Sequence, residues 1–309
     1  ATTDARHSTS TKRAYRVILN LPVEHARPPS SGASLSRRAR SFRREWDVER
    51  PCYDRGRRSP LPIRILAPHE AAKIAAGEVI ERPASVVKEL IENSLDAGSS
   101  RIEVEIREGG LALIRVADDG AGIEPHELRL AFERHATSKV RSEEDLWHVS
   151  TLGFRGEALP SIAAAGDVEV VTRVAGNDRG ARIRLRGGEI AEEGSGAAQP
   201  GTVLTVRALF SLQPARLKFL RGPGTEASQV SAAVIHYALA YPEVRFALTV
   251  DGRVTLQAPG NGSLIDAVAA VYGADVAAAA IELEAPPVDG IGVRGAGDLP
   301  TVEHRDALP

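Results

Sequence analysis

Residues 84–98 read ASVVKELIENSLDAG, and the spacing of their apolar side chains predicts an amphipathic helix over residues 84–95. Val87, Ile91 and Leu95 recur every fourth residue, which places them on one side of that helix. Because a surface helix buries such a stripe, we expect this side to face the core of a larger domain.

The opposite side of this predicted helix carries Glu89, Asn93 and Asp96, at positions i, i+4 and i+7. An amide oxygen is a hard ligand that suits Mg²⁺, and a carboxylate one turn away can orient and deprotonate a water molecule. The arrangement therefore suits ATP hydrolysis, although an ordinary solvated helix face would have the same pattern.

The sequence around this helix indicates an α+β layered sandwich. Apolar alternation and short apolar runs predict strands at residues 101–107, 111–116, 168–174, 181–185, 202–206, 245–250 and 253–256. Further helices are predicted at residues 125–133 and 225–239, and a third after Ser263, which would cap it. Glycine pairs and an Asp-Gly pair predict turns at residues 109–110, 187–188 and 251–252. Hairpins mixed with helices favour this architecture over a βαβ repeat.

A second motif is the glycine loop DDGAGI, residues 118–123, which directly follows a predicted strand. Gly120 and Gly122 allow the backbone to approach a ligand closely. Asp118, at the end of the strand, can accept a hydrogen bond from an exocyclic amine such as that of adenine. A tight turn with only a structural role is the alternative.

Two further stretches combine glycine with positive charge, namely RHATSK at residues 134–139 and GFRGEAL at residues 153–159. In the second, two glycines flank Arg155 just before a predicted helix, where backbone N–H groups can bind phosphate. Lys139 would add positive charge, although a surface loop with scattered charges also fits. Residues 201–202, Gly-Thr, open a strand and could close a pocket for a base.

Composition and missing motifs exclude several classes of protein. None of the lysines follows a glycine, so there is no P-loop, and the H-E-x-x-H and G-x-S-x-G motifs are absent. The single cysteine, Cys52, excludes an internal disulfide and a multi-cysteine metal site. A net charge of −2 does not indicate a nucleic-acid binder that is basic throughout. Since no apolar run approaches the roughly 18 residues that span a bilayer, we expect a soluble, intracellular protein. We expect the cytoplasm, with an organelle or the nucleus as alternatives.

Taken in order, residues 89–93, 118–122, 153–157 and 201–202 resemble the four ATP-site motifs of the GHKL superfamily. Residues 74–83, IAAGEVIERP, and residues 92–98, ENSLDAG, are similar to signatures of the MutL family within it. The resemblance extends from about Leu61 to about Leu256. It implies a GHKL (Bergerat) ATPase sandwich over residues 61–258, followed at 259–309 by the start of a transducer domain resembling ribosomal protein S5.

The same resemblance implies ATP and Mg²⁺ as cofactors. Glu89 would be the general base and Asn93 the Mg²⁺ ligand, while Asp118 would bind adenine. Residues 137–139 and 153–157 would form a lid over the phosphates. The residues implied to bind nucleotide are Asn93, Asp96, Asp118, Gly120, Gly122, Thr137, Ser138, Lys139, Gly153, Phe154, Arg155, Gly156, Glu157 and Thr202.

Residues 214–220, PARLKFL, resemble another MutL signature, although Leu212 stands where the family usually has asparagine. Arg216, Lys218 and Arg221 are candidate contacts to the DNA backbone, because clustered cations suffice to bind phosphate. A solvated basic loop is the alternative.

The resemblance also implies a role in DNA mismatch repair. ATP binding would favour pairing of two N-terminal halves, and the partners would be DNA and a MutS-type mismatch recognition protein. In the family, a lysine from the second domain reaches the γ-phosphate, and a C-terminal domain follows that bears an endonuclease site in many members. Both would lie beyond Pro309, so a nucleotide-gated DNA- or protein-binding module without catalysis is the alternative. A topoisomerase ATPase subunit is disfavoured, because its phosphate loop would differ in sequence from residues 153–157.

Residues 1–60 are rich in arginine and lack helical or strand periodicity, so we expect them to be disordered. They fit a basic nucleic-acid tail, an organelle transit peptide or translation upstream of the true start. The absence of methionine and the orderly segment that opens at Leu61 favour the third explanation.

Overall fold

The computed structural model describes residues 14–16, 19–20, 80–139, 151–153, 156–288 and 291–298. The chain divides into two units, and all of these residues belong to the one made of Ala1–Leu21 and Pro68–Pro309. Its strands are β1 (Ala14–Arg16), β2 (Leu19–Asn20), β3 (Arg101–Arg107), β4 (Leu113–Asp118), β5 (Asp167–Arg173), β6 (Gly180–Arg186), β7 (Glu189–Gly196), β8 (Gly201–Arg207), β9 (Arg245–Val250), β10 (Arg253–Ala258), β11 (Ala280–Val288) and β12 (Ile291–Asp298). Its helices are α1 (Pro83–Asp96), α2 (Ala158–Ala165), α3 (Pro214–Leu217), α4 (Pro223–Ala240), α5 (Leu264–Tyr272) and α6 (Ala274–Ala279), with 3₁₀ turns at Glu108–Gly110 and Leu130–Phe132.

Eight of these strands form one sheet in the order β10-β9-β3-β4-β8-β5-β6-β7. All neighbours in it are antiparallel except β3 and β9, which pair in parallel. Helices α1, α2 and α4 pack against its strands. The predicted α+β sandwich is therefore confirmed. Among the residues that the structure describes, no helix is long and apolar enough to cross a membrane.

The predicted helix over residues 84–95 is confirmed as α1, which begins at Pro83 and ends at Asp96. Proline is favoured in the first turn because its missing N–H would have no partner there. Val87 and Ile91 are fully buried, and Val86 also lies in the core. Each such side chain contributes about 1.5–3 kcal/mol by leaving water, which anchors this helix against the sheet.

The predicted helix over residues 125–133 is wrong. The structure shows successive turns there, and only Leu130–Phe132 forms a short 3₁₀ turn. Leu128 is buried but Leu130 is 56% exposed, so a continuous helix would have little apolar surface to bury. Several residues of this segment line the cavity described below.

Regular structure continues beyond Ala285, although that part of the chain is rich in glycine and proline. Strands β11 and β12 form an antiparallel hairpin, whose register shifts between Ala285 and Val288. The two intervening prolines have no N–H group to donate, and an irregular position in a ladder tolerates them. Strands β1 and β2 pair in parallel with β12. The rest of residues 1–60 lies outside the described part of the chain, so the expected disorder and the domain boundaries stay predictions.

Candidate functional site

A cavity of about 1150 Å³ lies between α1 and the ends of strands β4 and β8. Residues near 130–139, residues 152–153 and residues 156–160 form its other walls. Of the residues predicted to bind nucleotide or to catalyse, those that line it are Glu89, Asn93, Asp118, Gly122, Thr137, Ser138, Lys139, Gly153, Gly156, Glu157 and Thr202. Asp96 and Gly120 do not line the cavity but bond to Lys139 and Asp118, which do. Phe154 and Arg155 are outside the described residues.

Asp118 marks one end of the cavity, where β4 ends. Its Oδ2 accepts a hydrogen bond from Ser94 Oγ at 2.8 Å, and its Oδ1 accepts from the backbone N of Gly120 at 3.0 Å and of Thr202 at 3.2 Å. Burial raises the pKa of Asp118, and these hydrogen bonds reduce that rise without cancelling it. The carboxylate is thus held in one orientation by α1, β8 and its own loop.

The neighbouring Asp119 serves a different part of the structure. Its carboxylate accepts from Ser100 N at 2.8 Å, from Ser100 Oγ at 2.7 Å and from Arg101 N at 2.8 Å. Burial raises the pKa of Asp119, but these hydrogen bonds outweigh burial and bring it below its usual value. Asp119 therefore fixes the corner between α1 and β3, while Asp118 faces the cavity.

Thr172 is a residue of this end that the motifs did not identify. It is fully buried in β5, and its Oγ1 accepts from Ile123 N at 2.9 Å, donates to Gly201 O at 3.1 Å and lies 3.0 Å from Thr202 Oγ1. A single threonine in the predicted strand at residues 168–174 was the only signal in the sequence. It joins the glycine loop to β8.

The glycines of this end permit close packing between chain segments. Gly122 has φ +76°, and a Cβ there would lie 2.4 Å from Arg173 O. Gly201 has φ +110°, and its Cβ would lie 2.1 Å from Asp118 O. No other residue fits either place without a shift of the backbone.

Lys139, which lines the cavity, is bound to α1 through Asp96 and Asn93. Lys139 Nζ donates to Asn93 Oδ1 at 2.9 Å and to Asp96 Oδ2 at 2.7 Å. The same carboxylate accepts from the backbone N of Leu152 at 2.9 Å and of Gly153 at 3.2 Å. One carboxylate at the end of α1 therefore holds two segments that the resemblance assigns to the phosphates.

Two carboxylates of α1 line the same part of the cavity. Glu89 lies one turn before Asn93, as predicted. Glu92 accepts from Tyr237 Oη at 2.6 Å and lies 3.7 Å from Lys88 Nζ. Burial and Glu92 raise the pKa of Tyr237. The bond between Tyr237 and Glu92 joins α4 to α1 and could not be inferred from the sequence, because the two residues are 145 positions apart.

The oxygen atoms at this end fit a magnesium ion that arrives with a phosphate ligand. In the described part of the chain, no three His, Cys, Asp or Glu residues are grouped so as to hold a metal by themselves. Mg²⁺ usually binds through one or two protein oxygens and completes its shell with phosphates and water. Asn93 Oδ1, on the cavity wall beside Glu89, provides a ligand of this kind.

Comparison with known proteins agrees with this geometry. Residues 80–201 match the family model described as histidine kinase-, DNA gyrase B- and HSP90-like ATPase. The DNA mismatch repair protein MutL of Desulforudis audaxviator is 51% identical over 215 residues, which cover 70% of this chain and 38% of that protein. A solved variant of the Aquifex aeolicus MutL ATPase domain is 31% identical, with a TM-score of 0.51 over 68% of this chain and 70% of that one. The chain belongs to the MutL family.

The fold is that of the MutL ATPase domain. The Aquifex aeolicus domain solved in complex with ADP is 29% identical and has a TM-score of 0.56 over 72% of this chain and 94% of that chain. The chain spans about 38% of the length of the curated MutL relative from Desulforudis audaxviator.

The MutL-type segment at residues 214–220 lies away from the cavity, and its cations differ in their surroundings. Arg216 lies over the ring of Phe210, 5.5 Å from its centre, and donates to Ile80 O. Lys218 and Arg221 are exposed. The guanidinium of Arg216 is thus already used inside the domain, whereas the other two side chains face solvent.

Proposed function

We propose that this chain binds ATP together with Mg²⁺ in the cavity and hydrolyses it. The observation that carries this is that Asp118, Glu89, Asn93 and Lys139 all line one cavity of about 1150 Å³. A cavity of this size and polarity suits a nucleotide. The ADP complex of the Aquifex aeolicus MutL ATPase domain supports the choice of ligand.

In this proposal, Asp118 accepts a hydrogen bond from the exocyclic amine of adenine, and Thr202 and Gly122 line the base pocket. Asn93 Oδ1 holds the metal, which neutralises charge on the β- and γ-phosphates when bound. Residues 137–139, Gly153, Gly156 and Glu157 surround the phosphates.

Glu89 acts as the general base. It removes a proton from a water molecule whose oxygen attacks the γ-phosphorus, while the bond to the bridging oxygen breaks and ADP leaves. A carboxylate one turn from the metal-binding amide is placed on the same side of α1, which is the geometry this step requires. We expect slow turnover, because closing the site around the nucleotide precedes the chemistry.

The test is phosphate release by wild type, Glu89→Gln and Glu92→Gln, with ADP binding measured in parallel by calorimetry. Loss of a general base lowers the rate by about 100-fold or more. Glu89→Gln should therefore lose phosphate release and keep ADP binding. Glu92→Gln makes the same change one turn along the helix and should lose less than about tenfold. Equal background rates in all three proteins would show a nucleotide-binding module without hydrolysis.

We propose further that the chain serves DNA mismatch repair in the bacterial cytoplasm, as the function named for its relatives suggests. ATP would favour self-association of two copies, and a MutS-type protein and DNA would be its partners. Sedimentation with and without a non-hydrolysable ATP analogue tests self-association. A single species at all nucleotide concentrations would contradict it.

The candidate DNA contacts are Lys218 and Arg221, with Arg216 in a lesser role because it is held by Phe210 and Ile80. DNA affinity should be measured against salt for wild type and for Lys218→Ala combined with Arg221→Ala. Each phosphate contact contributes about 0.9 to the slope of log K on log salt, so two lost contacts reduce the slope by roughly 1.8. An unchanged slope would place the DNA elsewhere.

A further inference from the structure

The ammonium group of Lys139 is bound to Asn93 Oδ1, the oxygen that would hold the metal in the proposed function. Its Nζ lies 2.9 Å from Asn93 Oδ1 and 2.7 Å from Asp96 Oδ2. A lysine ammonium is a compact point charge with three donors, so it can bind both oxygens at once. It supplies the positive charge that these two oxygen atoms would otherwise attract by binding a cation from solution.

This position conflicts with simultaneous binding of a metal ion. Mg²⁺ binds oxygen at about 2.0–2.1 Å, so an ion on Asn93 Oδ1 would lie within roughly 5 Å of Nζ where it now stands. Like charges at that distance repel strongly away from bulk water. Lys139 must therefore leave Asn93 before or as the metal arrives.

Burial and backbone contacts hold the ammonium in place. The side chains of Lys139 and Asp96 are 20% and 7% exposed. Asp96 is itself fixed by the amides of Leu152 and Gly153, and a Cβ on Gly153 would lie 3.3 Å from Nζ. The contact is thus enclosed on one side by backbone, which distinguishes it from a surface ion pair.

We infer that Lys139 is a surrogate cation, which excludes free divalent metal from Asn93 until a nucleotide brings the metal with it. The inference rests on the proposed function and adds an order of binding to it. The phosphates of the nucleotide offer the ammonium stronger anionic partners than an amide oxygen. When the ammonium turns towards them, Asn93 Oδ1 is released for the metal that the phosphates carry.

The test is binding of Mn²⁺ to the full chain, followed by electron paramagnetic resonance, without nucleotide and with ADP. Wild type should bind Mn²⁺ weakly alone and at least about tenfold more tightly with ADP. Lys139→Met should bind Mn²⁺ without nucleotide about tenfold more tightly than wild type, because a positive charge within a few ångströms is gone. Lys139→Arg keeps the charge and should exclude the ion as wild type does.

Lys88→Met is the matched control. Lys88 lines the same cavity, and its ammonium group pairs with Glu92 instead of Asn93. It should change Mn²⁺ binding by less than about threefold. A gain equal to that of Lys139→Met would show a general effect of charge and overturn the inference. No gain in Lys139→Met would overturn it as well. If that variant does not fold, Lys139→Gln replaces it.

The two proposals fail in different ways. If wild type binds Mn²⁺ with ADP and equally tightly without it, the surrogate cation is refuted and the nucleotide site stands. If wild type binds no ADP at all, the proposed function is refuted. Hydrogen exchange gives a second readout, because Lys139→Met should speed exchange of the amides of Leu152 and Gly153 by several-fold when Asp96 loses its cation. Unchanged exchange at both amides would contradict the proposed role of Lys139 as a surrogate cation.

Discussion

Replacing Ser94 by alanine should destabilise the domain through the carboxylate of Asp118. Ser94 is 3% exposed, and its hydroxyl donates to Asp118 Oδ2 at 2.8 Å and also lies 3.1 Å from Leu90 O. Asp118 keeps its two backbone donors in the variant, but the partly buried carboxylate loses its hydroxyl partner on α1.

The magnitude follows from the type of bond. A hydrogen bond to a charged group contributes about 1.5–3 kcal/mol, and a bond from serine to the carbonyl four residues earlier contributes little. We therefore expect Ser94→Ala to lower the free energy of unfolding by about 2 kcal/mol at neutral pH. For a domain of this size, that corresponds to a fall in Tm of roughly 4–8 °C.

The pH dependence gives the sharper test. The Ser94 bond lowers the pKa of Asp118 relative to a site without it, so its contribution is present above that pKa and is lost as pH falls through it. Urea unfolding between pH 4 and pH 8 should therefore show a penalty that shrinks towards acid. Ser231→Ala is the control, because Ser231 Oγ donates to Ala227 O in α4 and to no carboxylate. A penalty equal to that of the control, or one that does not change with pH, would refute the reasoning.

Three other outcomes are expected. Gly122→Ala should lower Tm more than Gly176→Ala, because both glycines have positive φ but only at Gly122 would a Cβ meet backbone; similar shifts would argue against a packing role for Gly122. Asp118→Asn should raise the free energy of unfolding at pH 8 and weaken ADP binding. Burial raises the pKa of Asp118, so above that pKa the charged carboxylate costs stability that the neutral amide does not cost. A variant that is less stable at pH 8 would show that the hydrogen bonds to the carboxylate outweigh its burial. Arg216→Ala should lower Tm by several degrees through the lost contact with an aromatic ring, whereas Lys218→Ala should leave it within about 1 °C, and calorimetry that finds the two equal would contradict that assignment.

The elements that could be predicted from the sequence are those set by local periodicity. The stripe of α1 and the hairpin turn at residues 251–252 depend on residues close in the chain, and the structure confirms both. Asp251 and Gly252 both have positive φ, as that hairpin turn requires. Glu89, Asn93 and Asp118 also meet at one cavity, as the four motifs predict.

The elements that could not be predicted depend on distant partners. Strand β7, EIAEEGSG, has few apolar residues and exists because it pairs with β6 at the edge of the sheet. The bonds of Thr172 and Tyr237 are made between segments far apart in sequence, so no local window contains them. The contact between Lys139 and Asn93 is of the same kind, since it joins residues 46 positions apart.

Because Asp118 and Asp119 bind different partners on different sides of the chain, the number of residues in β4 is constrained. Successive side chains leave a strand on alternate sides, so a residue deleted from β4 would put Asp119 at the place of Asp118 and Gly120 at the place of Asp119. The corner at Ser100 would then lose its acceptor, because glycine has no side chain to replace the carboxylate of Asp119. We therefore expect insertions to be tolerated better in the turn at residues 251–252 than a change of one residue in this strand.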